Sequence, residues 1–254
     1  MGKGRKGALP LKRGETTNMN TEKNIERFEA LMKKVKREGV DKLMEYIRKS
    51  DFYSAPTSTR FHLSVRGGLL QHSLNVYDAL IASLIENGRD GAYSYVIAGK
   101  EVVKIEDESV VVMALLHDLC KTYFYATETR NRKTYDKEKV AKADPWQVKK
   151  DNTGELFIWE SYEAYTVDDK VPYGHGEKSV MMIEEYMKLK PVERYAIRWH
   201  MGYTDVSPMQ QYAISEAFKK YPIAWALHNA DMQASTFMEE EEDNKDLFLD
   251  MQTE

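Results

Sequence analysis

The chain has 254 residues, of which 42% are hydrophobic and 31% are charged, so it is long enough to bury a sizeable core. Its formal net charge of −4 excludes a global basic field for nucleic acid, and its single cysteine, Cys120, excludes an intramolecular disulfide framework. The sequence contains no apolar run that could span a bilayer and no apolar signal core at its N-terminus, so we expect a cytoplasmic protein.

The two ends of the chain differ from its middle. Residues 1–23 begin with a basic, glycine-rich run (MGKGRKGALPLKRGETTN) that has no periodicity, and we expect a disordered leader. A basic arm that touches nucleic acid is the alternative for this run. Residues 239–254 begin with EEEED, which predicts a solvated acidic tail. The predicted domain therefore spans residues 24–238.

Most of this domain shows apolar residues at helical spacing, which predicts an all-α fold. The run VVVMALLHDLCK (110–121) begins with β-branched residues typical of a strand, but its continuation favours a buried helix. The predicted helices span residues 25–37, 41–49, 69–85, 110–121, 177–189, 191–201, 209–219 and 223–238.

Residues 122–174 differ from the helical segments because they are polar, rich in aromatic residues and interrupted by proline and glycine. The run ELFIWESYEAYTV (155–167) contains many β-formers, which predicts a β-hairpin or short strands. We therefore expect residues 122–174 to be a small β-hairpin insertion over a helical bundle. Its aromatic side chains either pack within the insertion or stack on a nucleobase.

Histidine and aspartate form the most informative pattern in the sequence. Imidazole nitrogen and carboxylate oxygen suit borderline divalent metals, and a charged pair after a long apolar run is costly unless something compensates it. A hydrogen-bonded place in the core is the alternative for each single histidine. The candidate metal ligands are His72, His117, Asp118, His175, His200 and Asp231.

Three motifs in this pattern resemble, in order, the signatures of the HD superfamily of metal-dependent phosphohydrolases. They are GGLLQHS (67–73), ALLHDLCK (114–121) and ALHNAD (226–231). The resemblance covers roughly residues 60–236, and its nearest local match is to the HD domain of 3′–5′ exoribonuclease-type members. It implies an HD-domain helical bundle.

The resemblance also implies which of the candidate ligands would bind which metal. His72, His117, Asp118 and Asp231 would bind a first metal, while His175 and His200 would bind a second metal that Asp118 bridges. Mn or Fe is favoured by the family, and Ni, Co, Zn or Mg would also suit such ligands. Lys121 completes the family's HD-x-x-K pattern and would act with Asp118 in catalysis, although a lysine at a helix end is also favourable by itself.

Five further residues are candidates for binding the substrate. Arg60 and Arg66 carry guanidinium forks that match phosphate oxygens, although a surface role is the alternative for each. His62 has a counterpart in the exoribonuclease branch, Lys178 would face phosphate, and His228 would either orient a metal ligand or contact substrate. Cys120 is expected to be a small buried hydrophobe.

The function implied is metal-dependent hydrolysis of a phosphoester of a nucleotide or short oligonucleotide by metal-activated water, with a phosphodiester favoured. Hydrolysis of a mononucleotide or dNTP is one alternative, and a catalytically silent nucleotide-binding module is another. An HD-fold oxygenase is a third, against which the HD-x-x-K pattern counts. The sequence implies no obligate protein partner and leaves the oligomeric state open.

Overall fold

The computed structural model describes residues 21–87, 91–205 and 207–239. The fold is mixed α/β, about 50% helical and 19% strand, with two three-stranded antiparallel sheets. The predicted all-α helical bundle is therefore wrong, because residues 84–87, 92–97 and 100–106 form strands and the insertion holds a second sheet. Most of the predicted leader and all of the acidic tail except Glu239 lie outside the described residues.

The helices correspond closely to the periodic segments of the sequence. Each of the eight predicted helices has a counterpart, whereas α5 was not predicted. In the part of the chain that the structure describes, the α-helices are α1 (Thr21–Met32), α2 (Val40–Lys49), α3 (Gly68–Ser83), α4 (Asp107–Leu116), α5 (Lys137–Lys142), α6 (His175–Glu184), α7 (Pro191–Arg198), α8 (Gln211–Lys220) and α9 (Pro222–Gln233).

Short turns of other helical types extend or connect these helices. The helix predicted over residues 110–121 ends at Leu116, and a 3-10 turn (Leu119–Lys121) follows it. A π-helical turn (Ala234–Met238) continues α9, and two further 3-10 turns lie at Gly202–Asp205 and Pro208–Gln210. Within the described ranges, no helix is both long enough and apolar enough to cross a membrane.

The hydrophobic core surrounds α4. All residues of this helix from Ser109 to Leu116 are buried, as expected for a helix that is apolar on every side. Helix α3 contacts both α4 and α9, while α7 contacts α4 and α9. The residues that directly follow α4 therefore enter the interior of the protein, between helices that come from distant parts of the sequence.

The first sheet is a meander of β1 (Leu84–Asn87), β2 (Ala92–Ile97) and β3 (Lys100–Glu106). A two-residue turn joins β2 to β3, and both of its residues, Ala98 and Gly99, have positive φ angles of 49° and 77°. Such a turn matches the twist of a hairpin. Ile105 is buried in the main core, so one face of this half-exposed sheet packs against the helices.

The second sheet lies in the insertion and consists of β4 (Tyr125–Thr134), β5 (Lys149–Lys150) and β6 (Leu156–Val167), in the order β4-β6-β5. The strand predicted in residues 155–167 is thus present as β6. Its main partner is β4, in a long antiparallel register from Tyr125↔Val167 to Thr134↔Ile158. The insertion is therefore a three-stranded sheet rather than the small hairpin that was predicted.

A buried ion pair ties the N-terminal helices to α7. The carboxylate of Glu193 is fully buried and accepts from Nη1 and Nη2 of Arg37 at 2.7 and 2.8 Å. It also accepts from Ser109 Oγ at 2.6 Å and from the backbone N–H of Lys190 at 2.8 Å. These bonds satisfy a buried charge that would otherwise be costly, and they hold the start of α4 beside α7.

Candidate metal centre

The elements that carry the candidate ligands meet where α4 ends. His117 and Asp118 directly follow α4, His72 lies on α3, and Asp231 lies on α9. Helix α3 begins in close contact with the preceding loop, because a Cβ on Gly68 would lie only 2.1 Å from the carbonyl oxygen of Leu63. Glycine is therefore required at the start of the helix that positions His72.

The four residues predicted to bind the first metal form one compact cluster. His72 Nε2 lies 3.2 Å from Asp231 Oδ1, 3.3 Å from His117 Nε2 and 3.6 Å from Asp118 Oδ2. His117 Nε2 lies 3.5 Å from Asp118 Oδ2. Nitrogen and oxygen ligands at about 2.0–2.2 Å from an ion lie roughly 3–3.5 Å from one another. The spacing of this cluster therefore suits a shared cation.

The hydrogen bonds of the imidazoles determine which ring nitrogens face the cluster. His117 and His200 each donate from Nδ1 to the carbonyl oxygen three residues earlier, at 2.8 and 2.7 Å. His72 Nδ1 lies 2.8 Å from the carboxylate of Glu239. Because these oxygens accept hydrogen bonds, each Nδ1 carries the proton, and in each neutral ring Nε2 presents a lone pair. The three Nε2 atoms therefore face the aspartates, and each presents its lone pair when its ring is neutral.

Two buried atoms of this cluster lack hydrogen-bond partners among the described residues. They are Asp118 Oδ1 and His200 Nε2, which lie 3.5 Å apart. An unsatisfied buried polar atom costs about 1–3 kcal/mol, and while His200 is neutral these two facing acceptors do not relieve each other. A divalent cation would satisfy both atoms, so the donor set fits a metal with nitrogen and oxygen ligands.

Charge distribution around the cluster favours ionised aspartates and protonated forms of His72 and His200. Burial opposes the ionisation of Asp118, but Lys121 and His117 hold the pKa of its carboxyl well below the usual range. Burial likewise opposes the charged form of His72, but nearby carboxylates, first that of Glu239, raise its pKa to about 10. The pKa of His200 is also raised, mainly by Asp118 acting against burial. Without a metal, protons thus supply the positive charge.

The two residues predicted for a second metal both lie near Asp118 but have different neighbours. His200 groups with His117 and Asp118, with ligand atoms within 4.8 Å of one another. His175 groups with Asp118 and Cys120, and its Nδ1 lies 3.3 Å from Cys120 Sγ. The structure therefore brings each histidine to Asp118, and places a buried thiol beside His175.

Lys121 lies inside the cluster. The 3-10 turn after Asp118 directs the Lys121 ammonium to within 2.6 Å of Asp118 Oδ2. Burial disfavours the charged ammonium, but Asp118 outweighs this effect and raises the pKa of Lys121 above its usual value. A permanent positive charge therefore sits beside the carboxylate, where the sequence predicted it.

Two of the predicted substrate-binding residues lie next to the ligands. The His62 ring is partly buried, with its centroid 5.4 Å from that of His72, and burial lowers its pKa. His228 donates from Nδ1 to the carbonyl oxygen of His200 at 2.6 Å. His228 therefore contacts the backbone of a candidate ligand.

The other three predicted substrate-binding residues lie in different surroundings. Arg60 and Arg66 are exposed, and the Arg60 guanidinium lies 5.4 Å from the ring centroid of Phe61. Lys178 is buried and forms an ion pair with Asp169 of the insertion, 2.5 Å apart. The Lys178 ammonium therefore already has an anionic partner supplied by the chain.

Glu239 was not predicted as part of the site. It was assigned to a solvated acidic run, and that assignment is wrong for this residue, because only 5% of its surface is exposed and it contacts His72. The one available signal is its position directly after the apolar segment predicted to end at residue 238.

Comparison with protein-family models, with curated proteins and with solved structures finds no match to this chain.

Proposed function

We propose that this protein is a metal-dependent phosphohydrolase that cleaves a phosphoester of a nucleotide or short oligonucleotide. One observation carries the proposal: the Nε2 atoms of three imidazoles face two carboxylates, with a buried ammonium beside them. The three motifs that resemble the HD superfamily support the same conclusion. The ligand cluster suits a divalent metal, and the lysine suits an anionic substrate.

His72, His117, Asp118 and Asp231 would hold the metal, because His72 Nε2 lies 3.2–3.6 Å from a ligand atom of each of the other three. When bound, a divalent ion supplies an activated water nucleophile at neutral pH and neutralises charge on the attacked phosphate. Mn or Fe is our favoured ion. His200 and His175, each grouped with Asp118, would contribute to a second site.

The chain's own residues would provide charge and orientation. The Lys121 ammonium would stabilise negative charge that develops on the phosphoryl oxygens, since a fixed charge in a buried site is worth more than in water. Asp118 holds this ammonium at 2.6 Å and would thereby fix its position relative to the metal. His62 lies partly exposed beside His72 and would line the substrate pocket.

A phosphodiester is the favoured substrate, following the resemblance to the exoribonuclease branch. A panel of bis-p-nitrophenyl phosphate, cyclic nucleotides, mononucleotides, dNTPs, and short RNA and DNA, assayed with Mn, Fe, Co, Ni, Zn and Mg, tests the proposal. Cleavage of the diesters is expected, with Asp118→Asn inactive and Glu138→Gln, at a highly exposed carboxylate of α5, unchanged. Hydrolysis of mononucleotides or dNTPs alone would replace the diester with the small-nucleotide alternative.

Absence of turnover with every metal would contradict a hydrolase. Tight nucleotide binding without turnover would instead indicate the silent binding module. Metal content must be measured in each variant, because Asp118→Asn is expected to lose metal and activity together, whereas a folding defect would also change the far-UV circular dichroism.

A further inference from the structure

We infer that Glu239 is a positioning residue that fixes the ring of His72 for metal binding. This inference rests on the proposed metal site. Glu239 follows the π-helical turn at the end of α9, and its side chain is buried against α3. Its Oε1 accepts from His72 Nδ1 at 2.8 Å and from Asn75 Nδ2 at 3.0 Å. The hydrogen-bond acceptor for His72 Nδ1 is therefore a residue 167 positions away in the sequence.

A chain of side-chain amides holds this carboxylate in one orientation. Because Glu239 can only accept, Asn75 must direct its NH₂ group toward it, and its Oδ1 then accepts from Gln71 Nε2 at 2.7 Å. Gln71 Oε1 accepts in turn from Asn24 Nδ2 at 2.7 Å. Each amide is thus oriented by the next, and the chain links α1 and α3 to the carboxylate.

The orientation of Glu239 determines which nitrogen of His72 is available. With Nδ1–H donated to Glu239, Nε2 faces Asp231 at 3.2 Å and His117 at 3.3 Å and is the nitrogen left to bind a metal once its own proton is displaced. Without this acceptor, the ring would be free to rotate or to place its proton on Nε2, and either change would remove a metal ligand. Carboxylates that accept from ligating histidines also increase the basicity of the ring.

The metal affinity of the full-length protein tests this inference. Loss of such an outer partner typically weakens metal binding about 10–100-fold, and we expect this for Glu239→Ala in titrations with Mn(II) and with Zn(II). Glu239→Gln should retain most of the affinity, because an amide oxygen can still accept both hydrogen bonds that Oε1 accepts now. Glu138→Gln, which removes a highly exposed charge, is the matched control and should bind like the wild type.

A double-mutant cycle separates positioning from a general structural effect. If Glu239 acts through His72, then Glu239→Ala should weaken binding no further in a His72→Ala background. Additive losses, or wild-type affinity in Glu239→Ala, would overturn the role of Glu239 while leaving the metal site intact. Failure of the wild type to bind either metal would overturn the metal site and this inference together.

A spectroscopic measurement on the unmodified protein keeps the inference testable if Glu239→Ala does not fold. Nitrogen-15 NMR of metal-loaded protein, prepared with diamagnetic Zn(II), should show the His72 proton on Nδ1. A proton on Nε2 of His72 would refute the positioning role.

Discussion

Raising the pH of the metal-free protein from about 7 to about 8.5 should lower its stability, because His72 gives up a proton more readily when unfolded. In the folded chain the carboxylates of Glu239 and Asp231 outweigh burial and raise the pKa of His72 from 6.5 to about 10. The resulting stabilisation is fully present below the unfolded pKa. It is lost as the pH rises from there toward the folded pKa.

The size of this effect follows from the number of protons retained. Where folded His72 keeps its proton and the unfolded chain has lost it, the free energy of unfolding falls by about 1.4 kcal/mol per pH unit. This amounts to about 2 kcal/mol over the whole range. His200, whose pKa is also raised, adds to the loss. The interval ends below pH 9.0, the usual pKa of a cysteine thiol. Burial raises the pKa of Cys120 to about 12, so at higher pH this thiol would add a pH dependence of its own.

Urea denaturation of chelator-treated protein at three pH values in this interval measures the effect. A His72→Gln variant is the control. In this variant the free energy of unfolding should fall less steeply with pH, because the proton held by His72 no longer contributes. Added Mn(II) should displace these protons, so that metal affinity rises with pH. Stability that is constant or increases from pH 7 to 8.5 in metal-free wild type would refute the described charge arrangement.

Three further predictions concern single side chains. Lys121→Met should lower kcat by about 10²–10³-fold with metal content unchanged, and Lys121→Arg should restore part of it, measured on the best substrate of the panel. Arg37→Met should destabilise the fold by about 3–5 kcal/mol in urea denaturation, because it leaves the buried Glu193 carboxylate without its partner, and pairing it with Glu193→Leu should recover much of the loss. Ala98→Gly should raise the free energy of unfolding by about 1 kcal/mol, because Ala98 has a φ of 49° that glycine adopts without strain, and unchanged or lower stability would contradict this.

The helices could be predicted because their apolar periodicity extends over several turns. Strands β1, β2 and β3 have only four to seven residues each, and Ala98 stands where a glycine or asparagine usually marks such a hairpin turn. The alternation of Tyr93, Tyr95 and Ile97, followed by Val103 and Ile105, was the available signal. It was too short to outweigh the helical pattern on both sides.

The candidate site was predictable to the extent that its residues lie in local motifs. His72, His117, Asp118 and Asp231 each belong to such a motif, and the structure brings all four together. Glu239 reaches His72 across 167 positions through a hydrogen bond that leaves no periodic trace in the sequence. Contacts of this kind depend on tertiary packing, which a local pattern does not contain.

Likewise, the ion pair between Lys178 and Asp169 depends on how the insertion folds back onto α6. Helical spacing can place Lys178 near His175, which precedes it by three residues, but it cannot predict that Asp169 is the partner of Lys178. Lys121 was expected to act with Asp118 because it completes the HD-x-x-K pattern, and the structure places its ammonium 2.6 Å from that carboxylate.

Metal analysis by mass spectrometry tests the central claim most directly. Protein purified without added metal, or reconstituted and desalted, should retain about one or two first-row transition metal ions per chain, as the clustered ligands require. Asp231→Asn should lose most of this metal while remaining folded. Wild-type protein that is folded but holds no stoichiometric metal after reconstitution with Mn, Fe, Co, Ni and Zn would contradict the account.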